Sequence, residues 1–188
     1  MDAFNFVFSL FGLLLGLSLA EVLSGFARVL KLRRAVNIGW LVPLLGLFVM
    51  LDIASFWSGA WRSREWIEPH YGFLFLGLVI TGLYYLAASI VFPASGDSRA
   101  DYDAHYFAHR RQILGAVAFC NLAAFVWQDL LMLDQLPLRW WFIVPGYFVL
   151  IAAGMVTRSR PLSIAVLAGL IGIYVVSAAT SIAWPWQG

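Results

Sequence analysis

Three carboxylic acids lie within long apolar stretches of the chain, and their positions make them candidates for chemistry. Glu21, Asp52 and Asp129 have mainly apolar neighbours. A charged side chain at the centre of a membrane-spanning helix costs at least about 2.5 kcal/mol on insertion scales, so such residues commonly bind or relay ions. We therefore predict that the three acids line a pathway for a proton, a cation or a small polar solute.

The acids differ in predicted depth and in their alternatives. At about 1.5 Å per helical residue, Asp52 lies just outward of the centre of its span, Glu21 in the inner third and Asp129 near the outer boundary. Asp129 could reach lipid headgroups, and Glu21 could meet Arg28 two helical turns away. Asp52 has no charged neighbour in its span, and its structural alternative is a buried, hydrogen-bonded acid.

Six apolar stretches, each long enough to cross a bilayer as a helix, carry or flank these acids. The chain is 62% hydrophobic and 12% charged, with a mean hydropathy of +0.85, which excludes an ordinary soluble domain. We predict an all-α, polytopic integral membrane protein with six transmembrane helices, folded as a single membrane domain over residues 1–188. The predicted spans are 4–27, 38–61, 71–93, 112–133, 140–157 and 161–184.

The distribution of cations predicts the orientation. Nine of the twelve lie in the first, third and fifth connections, so these connections are predicted to be cytoplasmic and both termini to lie outside. Eleven of the twelve are arginine, which suggests a GC-rich bacterium and hence the bacterial cytoplasmic (inner) membrane. Attraction to anionic lipid explains the net charge of +2, and no nucleic-acid partner is expected.

Tryptophan is concentrated toward the predicted outer surface, where eight of the nine lie. Trp57, Trp61 and Trp127 could form an outer aromatic vestibule that holds a cation against its ring faces. The alternative is an interfacial aromatic belt of the kind that many membrane proteins carry.

Two halves of the chain resemble each other. Residues 82–84 read Gly-Leu-Tyr and residues 172–174 read Gly-Ile-Tyr, and a proline follows each of these spans, at Pro93 and Pro185. With three helices per copy, residues 4–93 and 112–185 would form a 3+3 inverted repeat, an architecture found in many transporters. Chance similarity between apolar helices is the alternative.

The first span carries small residues at strict four-residue spacing, which lets another helix approach closely. This small-residue ridge consists of Gly12, Gly16, Ala20 and Ser24. It could serve a neighbouring helix of the same chain, a second copy in a homo-oligomer, or a different membrane-protein partner.

The polar third connection offers a weak metal-site pattern. His105 and His109 are four residues apart on a predicted helix, with Asp101 and Asp103 just before them, and this spacing can place two imidazoles on one metal.

An amphipathic helix at the membrane surface is the alternative interpretation of that segment. Ser98 and Asp101 resemble a capping box at its start, from which the helix would continue into the fourth span. In this alternative Tyr102, Tyr106 and Ile113 face lipid.

These patterns leave three classes of function open. The first is a channel or transporter protomer for a proton, a cation or a small polar solute. The second is a membrane scaffold or accessory subunit that docks another membrane protein or a lipid, and the third is a metal-binding membrane enzyme. The sequence contains no Gly-x-Ser-x-Gly nucleophile motif and no phosphate-binding glycine loop, and we predict no cofactor.

Overall fold

The computed structural model of the chain describes residues 3–32, 39–62, 70–93, 101–128 and 140–183. Over these residues the protein is entirely helical apart from the short helix ends, which confirms the all-α prediction. The six helices are α1 (Ala3–Leu32), α2 (Leu41–Arg62), α3 (Tyr71–Val91), α4 (Tyr102–Gln128), α5 (Trp140–Val156) and α6 (Arg160–Ala183).

Four helices are long and apolar enough to cross a membrane, namely α1, α2, α3 and α6, and they indicate membrane insertion. The other two do not meet the same criterion. Helix α5 is apolar but has 17 residues, fewer than the roughly 20 needed to cross the hydrocarbon at right angles. Helix α4 begins with a polar segment, so its apolar part is shorter than the whole helix.

Local sequence sets several helix ends. The Nδ1 atom of His70 accepts a hydrogen bond from the Phe73 backbone N–H at 3.2 Å and caps α3. Helix α3 ends at Val91, two residues before Pro93, because the residue before a proline disfavours helical conformation. Helix α1 runs to Leu32, five residues beyond the predicted end of the first span.

The start of α4 bears on two predictions. Asp101 itself caps the helix, because its Oδ1 atom accepts from the N–H groups of Asp103 at 3.0 Å and Ala104 at 3.1 Å. Ser98, the predicted cap, lies outside the described residues. The expectation that one face of this helix meets lipid is wrong, because that face belongs to the protein core. Its buried members are Tyr102, Tyr106 and Ile113.

Helix α2 occupies the centre of the bundle. The other helices follow one another around it in the order α1, α3, α4, α5 and α6, and α2 contacts four of them extensively. It is also the most buried of the four candidate spans, with 44% of its apolar window inside the protein against 22–33% for the others. A polar residue on the buried face of α2, such as Asp52, therefore meets protein rather than lipid.

Successive helices run in opposite directions, so that alternate connections meet at one end. Asp103 and Arg160, at the starts of α4 and α6, form a salt bridge of 2.8 Å. Gly39, just before α2, lies against both, and its φ of 66° is one that a residue with a Cβ rarely adopts. The ends of the first, third and fifth connections thus lie together.

The helix neighbours do not support the predicted inverted repeat. In a 3+3 repeat, helices α1, α2 and α3 correspond to α4, α5 and α6. Each observed contact should then have a counterpart: α4–α6 for α1–α3, α1–α5 for α2–α4, and α3–α5 for α2–α6. None of these counterparts occurs as an extensive contact between the described parts of these helices. The 3+3 repeat therefore remains a prediction from sequence alone.

Candidate functional site

Asp52 is the centre of the most connected polar group in the described part of the protein. Its side chain projects from α2 into the bundle and is 1% exposed. Each of four other helices contributes one side chain that donates a hydrogen bond to it: Tyr84 from α3, Asn121 from α4, Tyr147 from α5 and Tyr174 from α6. We call these five residues the Asp52 cluster.

The two carboxylate oxygens share the donors unequally. Tyr84 donates to Oδ2 at 2.7 Å, and Tyr147 donates to Oδ1 at 2.9 Å. Tyr174 also donates to Oδ1. The Asn121 amide donates to both oxygens, at 2.9 and 3.1 Å, and to the carbonyl of Val117 at 3.0 Å. An ionised carboxylate accepts hydrogen bonds at about four positions, so these donors match its capacity.

All four donors are neutral groups, so the cluster supplies hydrogen bonds without a compensating positive charge. A buried carboxylate is costly unless it is both hydrogen-bonded and paired with a charge. The Asp52 cluster meets the first condition only, and among the described residues no salt bridge involves Asp52. A proton or an external cation would meet the second.

The hydroxyl groups of Tyr147 and Tyr174 lie 3.2 Å apart as well as against Asp52. Each hydroxyl has one proton, so the contact between them has no proton while both donate to the carboxylate. If Asp52 takes up a proton, one tyrosine can turn its own proton toward the other. The cluster can therefore rearrange its hydrogen bonds without moving a helix.

A cavity of about 540 Å³ reaches the Asp52 cluster from one side. Three cluster members line it, namely Asn121, Tyr147 and Tyr174. The remaining lining is mainly aliphatic and aromatic, with three hydroxyl side chains among it. The hydroxyl groups are those of Ser55, Ser177 and Thr180, and the aromatic rings are those of Phe56, Phe125 and Phe148. The site is thus a cavity with a polar end at the Asp52 cluster and a largely apolar wall that includes three phenylalanine rings.

Apolar side chains close the opposite side of the cluster. Phe48, one helical turn before Asp52, is fully buried, and its ring centroid lies 6.5 Å from that of Tyr147 and 6.1 Å from that of Tyr174. Ile151 and Leu170, one turn away on α5 and α6, are also buried. The cavity therefore ends at the Asp52 cluster and does not continue through the described bundle as a pore.

The structure does not join the three predicted pathway acids. Glu21 is partly buried on α1, a helix that contributes nothing to the Asp52 cluster, and no salt bridge joins Glu21 to Arg28 in the described part of the chain. Asp129 lies outside the described residues. Asp52 instead meets three tyrosines and an asparagine, which were not among the predicted site residues.

Two residues of the predicted aromatic vestibule, Trp57 and Trp61, lie beside α1 and do not line the cavity at the Asp52 cluster. Trp57 faces α1, where it contacts Phe8 with ring centroids 4.7 Å apart, and Trp61 is 49% exposed with its ring 5.7 Å from that of Phe8. Trp57 lines a separate apolar cavity of about 70 Å³. The Trp127 side chain lies outside the described part, so the vestibule as a unit stays a prediction.

The small-residue ridge has an internal neighbour at one end only. A Cβ on Gly12 would lie 2.5 Å from the Trp57 ring, so this glycine allows the two helices to approach. Gly16 has no atom within 4 Å of its Cβ position, and Ala20 and Ser24 are exposed. The homo-oligomer and partner predictions concern these last three positions.

The residues of the predicted metal site are engaged separately. Asp101 caps α4 and Asp103 binds Arg160. The Nε2 atom of His105 lies 3.0 Å from the Ile90 carbonyl, and Nδ1 of His109 lies 3.0 Å from the His105 carbonyl, so each ring uses one nitrogen as a donor. Across the described ranges no three His, Cys, Asp or Glu residues are grouped to hold a metal. The geometry gives the metal prediction no support.

Fold and site together define an all-helical protein with several helices suited to a membrane and one buried, acid-centred polar cluster beside a cavity. Comparison of the chain with protein-family models, curated proteins and solved structures finds no match.

Proposed function

We propose that the protein is a membrane transport protomer in which Asp52 binds a proton, a cation or a small polar solute. The observation that carries the proposal is the position of the Asp52 cluster at the closed end of a cavity of about 540 Å³. The volume falls within the range of about 300–1,000 Å³ typical of small-molecule sites. A cavity open on one side favours a carrier that alternates its access over a permanently open channel.

A cationic ligand fits the chemistry of the chamber best. It would supply the positive charge that the neutral donors around Asp52 lack. Aromatic faces attract cations by about 0.5–2 kcal/mol each, and Phe56, Phe125 and Phe148 line the approach. The hydroxyl oxygens of Tyr147 and Tyr174 can accept from an ammonium or guanidinium group once a ligand has taken their place at the carboxylate.

The proposed topology has six spans, both termini outside and the protein in a bacterial inner membrane. Nine cations in the odd connections support this orientation, as does the meeting of Gly39, Asp103 and Arg160 at one end. Since α2 would run outward, Ser55 and Gly59 lie on the outer side of Asp52. The cavity then opens toward the outer half of the membrane.

Reconstituted protein tests the proposal by solid-supported-membrane electrophysiology, with pulses of protons, potassium, methylammonium and guanidinium. We expect a current for at least one of these ions and its loss in Asp52→Asn by at least about tenfold, because an interaction with a charged group is worth about 1.5–3 kcal/mol. The matched control is Glu21→Gln, which neutralises an acid outside the cluster and should retain the current. A current that survives Asp52→Asn contradicts a role of Asp52 in transport, and the absence of a wild-type current for every probe contradicts the transport of these ions.

A membrane scaffold or accessory subunit is the second candidate, supported by the unfilled part of the small-residue ridge. Gly16, Ala20 and Ser24 form a face on which another helix backbone could lie closely. Native mass spectrometry distinguishes the candidates, because a second polypeptide at fixed stoichiometry supports the subunit. Its release by Gly16→Ile, with Leu13→Ile as the control on the same helix, would locate the contact on the ridge.

A further inference from the structure

Three arginines line an open groove at the end of the bundle where the odd connections meet. Arg110 and Arg111 come from α4, and Arg158 comes from the segment between α5 and α6. Phe107 and Ala108 complete the lining of this groove of about 420 Å³, which we call the arginine groove. The Asp52 cavity is lined by none of these residues.

Two of the arginines are held in place by the protein. The Nε atoms of Arg110 and Arg111 donate to the same backbone carbonyl, that of Met155, at 3.3 and 3.2 Å. The Arg110 guanidinium also lies over the Phe107 ring, 4.8 Å from its centroid, and Arg110 is 4% exposed. Because Nε makes the anchoring contact, no hydrogen bond to another described residue engages the four terminal N–H bonds of either guanidinium.

The groove has positive charge without a matching carboxylate. Among the described residues, its lining contains no acidic side chain, and Arg110, Arg111 and Arg158 form no salt bridge with any of them. The nearby Asp103 is engaged by Arg160. Burial lowers the pKa of Arg110, and repulsion from Arg111 and Arg158 acts in the same direction. An anion would relieve this repulsion.

We propose that the arginine groove binds a phosphate group, carried either by an anionic phospholipid or by a soluble phosphate compound. Guanidinium forks match the geometry of phosphate oxygens, and the preformed position of two forks reduces the entropy lost on binding. The groove lies at the end that the positive-inside rule places in the cytoplasm. This site is independent of the transport function proposed for Asp52.

A purely structural role explains only part of the groove. Arginines near a helix C-terminus satisfy its last carbonyls and interact with the helix dipole, and Arg110 and Arg111 do this at Met155. No such bond is recorded for Arg158, which is exposed and adds a third charge to the same space. Arg158 is therefore the residue that separates phosphate binding from helix capping.

Native mass spectrometry of the full chain with added lipid tests the lipid source. The probes are phosphatidylglycerol and, as the neutral reference, phosphatidylcholine. We expect a bound phosphatidylglycerol whose affinity falls about tenfold in Arg158→Gln, as for loss of one charge-assisted contact. Arg28→Gln, which removes the same charge from α1, is the matched control and should leave the affinity unchanged. Arg158→Lys keeps the charge but loses the fork, so its affinity should lie between those of Arg158→Gln and the wild type.

Calorimetry with inorganic phosphate and with glycerol 3-phosphate, at constant ionic strength, tests the soluble source in the same four proteins. If either soluble probe binds, and binds more weakly in Arg158→Gln, the site is assigned to a soluble phosphate compound. If only phosphatidylglycerol binds in this way, the site is assigned to a lipid headgroup. The proposal is overturned if no probe binds, or if Arg28→Gln weakens binding as much as Arg158→Gln. A thermal melt of each variant checks that a loss of binding is not a loss of folding.

Discussion

Asp52 and Glu21 are both acids within apolar helices, yet the protein surrounds them differently. Asp52 lies on the central helix and accepts hydrogen bonds from four other helices. Glu21 lies on α1, at the edge of the bundle, and the structure records no hydrogen bond or salt bridge for its carboxylate. The depth in the membrane predicted from sequence distinguishes the two acids less sharply than the side chains that surround them in the fold. A buried acid becomes a candidate site when other helices bring it donors.

The first way to break this comparison is to truncate both acids. We expect Asp52→Ala to lower the free energy of unfolding by about 3 kcal/mol, because three hydroxyls and an amide lose a buried acceptor. Glu21→Ala should change it by less than about 0.5 kcal/mol, as for other sites without specific partners. Unfolding by denaturant in mixed micelles measures both. Equal losses would mean that the hydrogen bonds of the Asp52 cluster do not stabilise the fold.

Two tyrosines of the cluster sharpen the comparison, because each donates to Asp52 but only one faces the cavity. Tyr174 lines the cavity, whereas Tyr84 is fully buried against Phe56 and does not. Replacement of either by phenylalanine removes one hydrogen bond and should lower stability by about 1 kcal/mol. Tyr174→Phe should in addition reduce the ion-induced current several-fold more than Tyr84→Phe. Equal effects on the current would argue that the cavity is not the route to Asp52.

Much of the architecture follows from composition alone. Long apolar runs can only be helices in lipid, because every backbone donor and acceptor must be satisfied within the segment. All six predicted segments overlap helices, although α4 begins ten residues before the predicted fourth span. Its polar start is helical because Asp101 caps it and because Tyr102 and Tyr106 are buried there. Periodicity within nearly uniform apolar helices gives too little information to find such a face.

In the Asp52 cluster, the sequence allows the central acid to be predicted but not the side chains that donate hydrogen bonds to it. Asp52 stands out because charge is rare in an apolar span, whereas a tyrosine is an ordinary residue of membrane helices and Asn121 gives only the weaker signal of an uncharged polar side chain. In the sequence, Tyr84 and Tyr174 stand out only as part of the repeated Gly-x-Tyr pattern, and no pattern marks Asn121 or Tyr147 as a site residue. Helix order around α2 brings them together, and that order depends on packing among apolar side chains. The single useful clue was chemical, since a buried carboxylate requires donors from elsewhere in the chain.

An effect smaller than that of Asp52→Ala is expected at Asn121, the only nitrogen donor of the Asp52 cluster. Asn121→Ala removes contacts to both carboxylate oxygens and should lower the free energy of unfolding by about 1–2 kcal/mol, with three tyrosine donors remaining. Leu122→Ala is the control, because Leu122 is the next residue on α4 and is exposed on the outside of the bundle. A loss in Leu122→Ala as large as that in Asn121→Ala would assign the effect to helix propensity or lipid contact rather than to Asp52.

The smallest effect extends the comparison to His105, a titratable side chain outside the predicted spans whose ring lies 4.3 Å from that of His109. Burial lowers the pKa of His105, and the hydrogen bond to the Ile90 carbonyl only partly opposes this. A histidine with a lower pKa in the folded protein binds fewer protons when folded, so stability is present above the unfolded pKa and declines as pH falls below about 6.5. Melting temperatures between pH 5 and 8 should therefore fall less steeply toward acid in His105→Gln than in the wild type. Ala104→Gln, at an exposed position of the same helix with no titratable side chain, is the control and should leave the acid slope unchanged. An identical slope in His105→Gln would show that protonation of His105 is not coupled to folding. Partial burial with few hydrogen-bond partners, as at His105 and Glu21, would then contribute little to the free energy of unfolding, in contrast to the burial of Asp52.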